Sequence, residues 1–148
     1  MCIYCTILPV NKFIRLNRLI VLFIGIGLLV LAFEVYLMHY EQLSTKKIMW
    51  TPIIFGSVGG LSVILISLIF NRISYYLFLI IMGVSICVGS LGLYLHNRWR
   101  FPAIINTLFF HKPFDFEVLT TYTPLLSPSV FIAIGGLGIL VALFYKWE

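Results

Sequence analysis

Charged side chains are scarce in this chain, which has five acidic and ten basic residues among 148. Soluble domains carry about 25% charged residues, whereas this chain carries 10%, against 61% hydrophobic residues. So few charges cannot cover a water-exposed surface, and the composition predicts that lipid surrounds much of the chain. The basic residues lie at the ends of apolar segments, where they anchor helices in membranes. This distribution argues against nucleic acid as a partner.

Catalytic signatures are also missing. The sequence contains no glycine-rich phosphate loop with lysine, no G-x-S-x-G and no H-E-x-x-H. Three cysteines occur: Cys87 lies in an apolar segment, and Cys2 and Cys5 form a C-x-x-C near the N-terminus. A C-x-x-C that binds metal normally has a second ligand pair, and none is present. We therefore expect no enzymatic activity from the chain on its own.

Four apolar segments dominate what is present. They cover about 19–40, 50–70, 74–96 and 129–145. About 20 apolar residues in a helix span the ~30 Å hydrocarbon core of a bilayer. The sequence therefore predicts an all-α integral membrane protein, a bundle of four transmembrane helices. The first segment has no small-x-small cleavage site after it, so we interpret it as a retained helix and not a signal peptide.

The connecting segments suggest an orientation. Residues 1–18 form a basic leader, and basic residues favour the cytoplasmic side. Counted over the whole chain, the two sides tie at five basic residues each, so the prediction relies on the first helix, which usually dominates. An even number of spans then places both termini in the cytoplasm, with a prokaryotic inner membrane as the expected location. The Phe-rich loop 97–127 is expected to lie in the outer headgroup region, with a short amphipathic helix near 103–110.

A repeated motif relates the two halves of the chain. The segment 51–61 reads TPIIFGSVGGL, and 127–137 reads SPSVFIAIGGL. Both begin with hydroxyl-Pro, continue to a Phe three residues later and end in Gly-Gly-Leu, at an offset of 76 residues (127 − 51). Hairpins repeated in the same sense are related by a pseudo-two-fold axis along the membrane normal. We therefore interpret 19–70 and 74–146 as a parallel duplication of one helical hairpin.

Glycines concentrate in these two motifs. Gly56 and Gly60 form a G-x-x-x-G, and the second copy has Gly136 but Ile132. Small residues let helix backbones approach closely in lipid, which favours packing over ligand binding. The residues predicted to serve helix packing are Gly56, Gly59, Gly60, Gly135, Gly136 and Gly138.

Two histidines occupy corresponding positions at the ends of the first and third apolar segments. His39 follows Tyr36-Leu37-Met38, and His96 follows Tyr94-Leu95. Small residues lie below each histidine, so the two imidazoles are candidate axial ligands of a haem. With His111 from the outer loop they would instead form a three-nitrogen site suited to copper or zinc. The alternative is a pair of interfacial histidines, hydrogen-bonded in the headgroup layer.

Glu34 is an acid inside the first apolar segment. Charged residues at membrane depth are costly, and such a residue is by default a candidate functional site. One interpretation is a protonated carboxyl hydrogen-bonded to another helix, for example to Thr51 or Ser57. The other is a proton relay or an ion pair with a partner.

Three functions remain open on these observations. The first is an accessory or structural subunit of a larger membrane complex, of a respiratory or other redox kind. The second is a haem- or metal-binding electron-transfer module that uses the two histidines. The third is a small transporter or channel built from several copies, with Glu34 in its pathway. The expected partners are membrane lipid and either other membrane subunits or further copies of the chain.

Overall fold

The computed structural model describes the backbone of residues 10–69, 71–98 and 126–144, and the side chains of 17–69, 71–98 and 128–144. It contains four α-helices: α1 Val10–His39, α2 Trp50–Leu68, α3 Arg72–Asn97 and α4 Leu126–Leu143. Two short 3-10 turns, Tyr40–Gln42 and Lys47–Met49, lie between α1 and α2. Within the described ranges the fold is entirely helical, which confirms the all-α class.

Three of the helical segments are long and apolar enough to cross a membrane. They are Asn17–Gln42, Lys47–Leu68 and Arg72–Asn97. The fourth apolar helix is shorter, with 18 residues from Leu126 to Leu143, or about 27 Å at 1.5 Å per residue. By length and composition these helices are those of a membrane protein.

α1 begins at Val10, well before the predicted start of the first span near residue 19. The second half of the basic leader is therefore helical. Pro9 precedes the helix and no Gly or Pro occurs from 10 to 18, so nothing in that stretch interrupts helical hydrogen bonding. Cys2, Cys5, the predicted amphipathic helix near 103–110 and His111 lie outside the described residues.

The connection between α2 and α3 is short and capped. The Asn71 side chain accepts a hydrogen bond from the backbone N–H of Ser74 at 2.8 Å, as an N-cap residue does. The Ser74 hydroxyl donates to the Ile69 carbonyl at 2.8 Å. These two bonds close the tight antiparallel turn that the sequence predicts between the second and third segments.

The helices pack as two hairpins. The largest interfaces join α1 to α2 and α3 to α4, and smaller ones join α1 to α4 and α2 to α3. The interior is apolar, and its fully buried larger side chains are Val21, Leu28, Val63, Phe78, Met82 and Phe131. The rings of Phe55 and Phe131 lie 6.2 Å apart, centroid to centroid, and so join α2 to α4 across the bundle.

Ser85 provides a polar contact inside the second hairpin. It is fully buried, and its hydroxyl donates to the Phe131 carbonyl at 2.8 Å. Hydrogen bonds between helices in lipid contribute about 0.6–2 kcal/mol. Ser85 thereby holds α3 against α4 at the level of the two phenylalanines.

Candidate functional site

Close backbone contact defines the first hairpin. A Cβ atom added to Gly60 would lie 2.8 Å from the Gly25 carbonyl oxygen of α1, and one added to Gly56 would lie 2.9 Å from the Ala32 Cβ. Both distances are shorter than a normal van der Waals contact. The helices α1 and α2 can approach this closely only because Gly56 and Gly60 lack side chains. The structure thus places the G-x-x-x-G pair in the α1–α2 interface.

The second hairpin uses glycines from both of its helices. A Cβ on Gly135 would lie 2.7 Å from the Met82 carbonyl oxygen, and a Cβ on Gly89 would lie 2.7 Å from the Pro128 carbonyl oxygen. Gly138 faces the Met82 side chain. Gly59 lies at ordinary contact distance from Ile81, whereas a Cβ on Gly136 would meet nothing within 4 Å.

At Gly60 the corresponding contact on α4 is displaced by one residue from the motif alignment. The motif pairs Gly60 with Gly136, but Gly135 makes the contact that corresponds to Gly60. Gly60 faces Gly25 and Leu29, and Gly135 faces Met82 and Ile86, each 57 residues later (82 − 25; 86 − 29). The bulky Ile132 stands where the first copy has Gly56, and the small Gly89 across from it accommodates that side chain.

His39 and His96 lie together at one end of the bundle. Their ring centroids are 5.7 Å apart with the planes tilted by 56°. His39 Nδ1 is 3.0 Å from the Val35 carbonyl oxygen. Because that oxygen can only accept, Nδ1 of His39 donates the hydrogen bond, and Nε2 of the neutral ring keeps its lone pair. Both rings are half-buried, so each is partly accessible from outside the bundle.

The small-residue faces below the histidines are filled by neighbouring helices. A Cβ on Gly25 would meet Ile64, Ala32 touches the Gly56 position, and Gly89 and Gly92 lie against the start of α4. The small residues on these faces favour a haem in the sequence. Since they serve as contacts with α2 and α4, the faces themselves are not free to admit a haem.

A three-ligand metal cluster is absent from the described ranges 17–69, 71–98 and 128–144. No group of three His, Cys, Asp or Glu side chains there could hold a metal ion. His111, the third nitrogen of the predicted copper or zinc site, lies outside those ranges. What the structure brings together is the His39–His96 pair.

Glu34 lies on the outer surface of the bundle. Its side chain is exposed, and among the described residues it has no hydrogen bond or ion pair, including to Thr51 or Ser57. The carboxylate therefore does not line an interior path through one copy of the chain. If it lines a transport pathway, that pathway lies between chains.

Three features were not singled out from the sequence. Asn17 and Asn97 are buried, and the Asn17 Nδ2 and Asn97 Oδ1 atoms have no hydrogen-bond partner among the described residues. A shallow hollow of about 370 Å³ lies between the start of α1 and the end of α2, at the opposite end of α1 from His39. Its lining is mostly apolar, apart from Arg18 and Ser67, and we assign no ligand to it. For Asn17 and Asn97, the only signal in the sequence was the position of an isolated asparagine near the end of an apolar segment.

Comparison with protein-family models, with curated proteins and with solved structures found no match to this chain. The functional argument therefore depends on the residues and their geometry alone.

Proposed function

We propose that this protein is an accessory subunit of a larger membrane complex, a bundle of four transmembrane helices that acts by contacting other membrane chains. The observation that carries the proposal is the contrast between its interior and its surface. The described interior consists of apolar side chains and glycine contacts, with Asn17, Ser67, Ser85 and Asn97 as its buried polar residues. The acid at membrane depth, Glu34, lies instead on the outside.

The proposed architecture is a parallel duplication of one hairpin. Two residues related by a two-fold axis touch each other only when both lie close to that axis. His39 touches His96 and Phe55 touches Phe131, and the partners of each pair are counterparts in the repeat. Pro52 and Pro128 are both the third residue of their helices, in the first turn, where a missing N–H breaks no helical hydrogen bond. These three observations support a pseudo-two-fold axis through the centre of the bundle.

Association in the native membrane tests the accessory role. A tagged chain extracted in a mild detergent is expected to migrate on a native gel with other membrane proteins, in a particle several times its own 17.0 kDa. As a control, a detergent extract in which an unrelated four-helix protein carries the same tag measures background binding. A chain that migrates alone, or only with copies of itself, would refute the accessory role.

Binding of a divalent transition metal ion by His39 and His96 is a second candidate function, favoured by their ring contact. Nitrogens that share one metal lie about 2.0–2.1 Å from it, which corresponds to ring centroids roughly 5–6 Å apart. The observed separation of 5.7 Å falls in this range. The hydrogen bond from His39 Nδ1 to a backbone carbonyl is also what fixes the tautomer of metal-binding histidines. Copper and zinc are the ions that suit imidazole ligands.

Metal titration of the purified protein tests this candidate. We expect one Cu²⁺ or Zn²⁺ per chain in a Cys2→Ser, Cys5→Ser, Cys87→Ser background, which removes all three competing thiols. His39→Ala and His96→Ala should each weaken binding at least about tenfold, because each removes a ligand. His111→Ala distinguishes a two-imidazole site, which it leaves intact, from a three-imidazole site. Equal binding by the wild type and the His39→Ala, His96→Ala double variant would exclude metal binding by this pair.

A further inference from the structure

The surroundings of Glu34 make it an isolated polar group on an apolar surface. Its helical neighbours Val30, Leu37 and Met38 are all exposed, at 60%, 58% and 68%. Glu34 lies five residues before His39 on α1, or about 7.5 Å deeper along the helix. We call the surface formed by Val30, Glu34, Leu37 and Met38 the Glu34 face. Apolar members of this face are compatible with lipid, whereas an acid at this depth is costly and is stabilised by a partner in most membrane proteins.

The corresponding face of the second hairpin lacks the acid. Leu91 is the counterpart of Glu34, at the same 57-residue offset that relates His39 to His96 (91 − 34; 96 − 39). Leu91 is also exposed, at 43%. The outer faces of α1 and α3 thus correspond in position, but only the α1 face carries an acid. The acid therefore distinguishes the α1 side of the bundle from the α3 side.

The described residues of a second copy of this chain do not offer the complementary group. Among the described basic residues, Arg18 lies 16 residues before Glu34 on α1 (34 − 18), and Lys46, Lys47, Arg72 and Arg98 lie at or beyond helix ends. None of them shares the depth of Glu34 along its helix. Two copies meeting at this face would therefore place Glu34 against apolar side chains or against another Glu34. Charge complementarity favours a different chain.

We infer that the Glu34 face docks a transmembrane helix of another protein, and that this helix carries one Lys or Arg at the depth of Glu34. This inference rests on the proposed accessory role and adds the chemistry of the partner. The carboxylate accepts hydrogen bonds from the basic group, while Val30, Leu37 and Met38 pack along the partner helix. The pair neutralises both charges inside the apolar layer.

Synthetic helices in vesicles test the inference. The full chain, with a donor fluorophore on a C-terminal tag, is reconstituted in phosphatidylcholine vesicles with acceptor-labelled poly-leucine transmembrane peptides. One peptide carries a single Lys at the depth of Glu34, and its control carries Leu there. We expect energy transfer to report association with the Lys peptide about three to thirty times tighter than with the Leu peptide, the range given by polar contacts between membrane helices.

Matched variants assign the effect to Glu34. Glu34→Gln should abolish the preference for the Lys peptide, and because Glu34 is exposed the variant is expected to fold. Glu41→Gln, which removes an exposed acid beyond the end of α1, should keep the preference. In the Glu34→Leu, Leu91→Glu double variant the preference for the Lys peptide should return. A bulky label on α3 should then block peptide binding, whereas a bulky label on α1 should not.

Three results would overturn the inference. They are equal binding of the two peptides to the wild type, a preference unchanged in Glu34→Gln, and association of two labelled copies stronger than that with the Lys peptide. The first two indicate a carboxylate that reaches the headgroup layer alone, and the third indicates a second copy as occupant. A chain that still migrates in a larger native complex after any of these results keeps its accessory role, so the two proposals fail separately.

Discussion

Gly135→Ala is expected to destabilise the protein by about 1–3 kcal/mol, the usual cost of overpacking a close contact. The new Cβ would lie 2.7 Å from the Met82 carbonyl oxygen, so the backbones of α3 and α4 must move apart. The same substitution one residue later is expected to be harmless. At Gly136 a Cβ meets nothing within 4 Å, and alanine has a helix propensity about 0.8–1.0 kcal/mol better than glycine.

Reversible unfolding in mixed micelles with increasing SDS measures the free energies of unfolding of the Gly135→Ala and Gly136→Ala variants. Gly60→Ala provides a parallel case in the first hairpin, with a Cβ 2.8 Å from the Gly25 carbonyl oxygen. Gly83→Ala is a second control, because a Cβ there also meets nothing within 4 Å. If Gly136→Ala proved the more damaging of the adjacent pair, the contact register of α4 described above would be incorrect.

Phe131→Ala is expected to cost about 2 kcal/mol. Lipid is as apolar as a protein core, so burial contributes little here and the loss comes from the cavity. A cavity of roughly 100 Å³ at about 24 cal/mol per Å³ gives that value. Phe131 is 2% exposed and touches the Phe55 ring, so the cavity would open where α2 and α4 meet across the bundle.

The same SDS unfolding experiment measures this effect, with Phe33→Ala as the matched control. Phe33 is 62% exposed, so its removal exchanges contact with lipid for contact with lipid and should change the free energy of unfolding by less than about 0.5 kcal/mol. Equal losses for Phe131→Ala and Phe33→Ala would show that the two hairpins do not pack through the Phe55–Phe131 contact.

The helices themselves were predictable because hydropathy and length determine them. The starts of α2 and α3 lie within two residues of the predicted spans. The exposure of Glu34 could not be predicted in the same way. α1 is apolar on most of its circumference, so its sequence does not specify which side faces the other helices. That orientation is set by the contact of Gly25 and Ala32 with α2, which turns Glu34 outward.

The repeated motif predicted that His39 and His96 are counterparts at one membrane face, and the structure brings their rings together. The motif did not predict which residues of α4 contact α3. In the first hairpin the close contact involves a glycine on the second helix, Gly56, whereas in the second hairpin Gly89 on the first helix faces Ile132. Such an accommodation of a large residue by a glycine on the facing helix permits close packing. It is invisible when each helix is compared only with its own counterpart.

Photo-crosslinking in native membranes most directly tests whether the Glu34 face contacts another membrane protein. A photoreactive amino acid replaces Val30, next to Glu34 on α1, and in a second variant replaces Leu91 on α3, whose exposed side chain is the counterpart of Glu34. We predict a discrete protein adduct from position 30, lost when Glu34 is also changed to Leu, and lipid adducts from position 91. Lipid adducts alone from both positions would contradict a partner at this face.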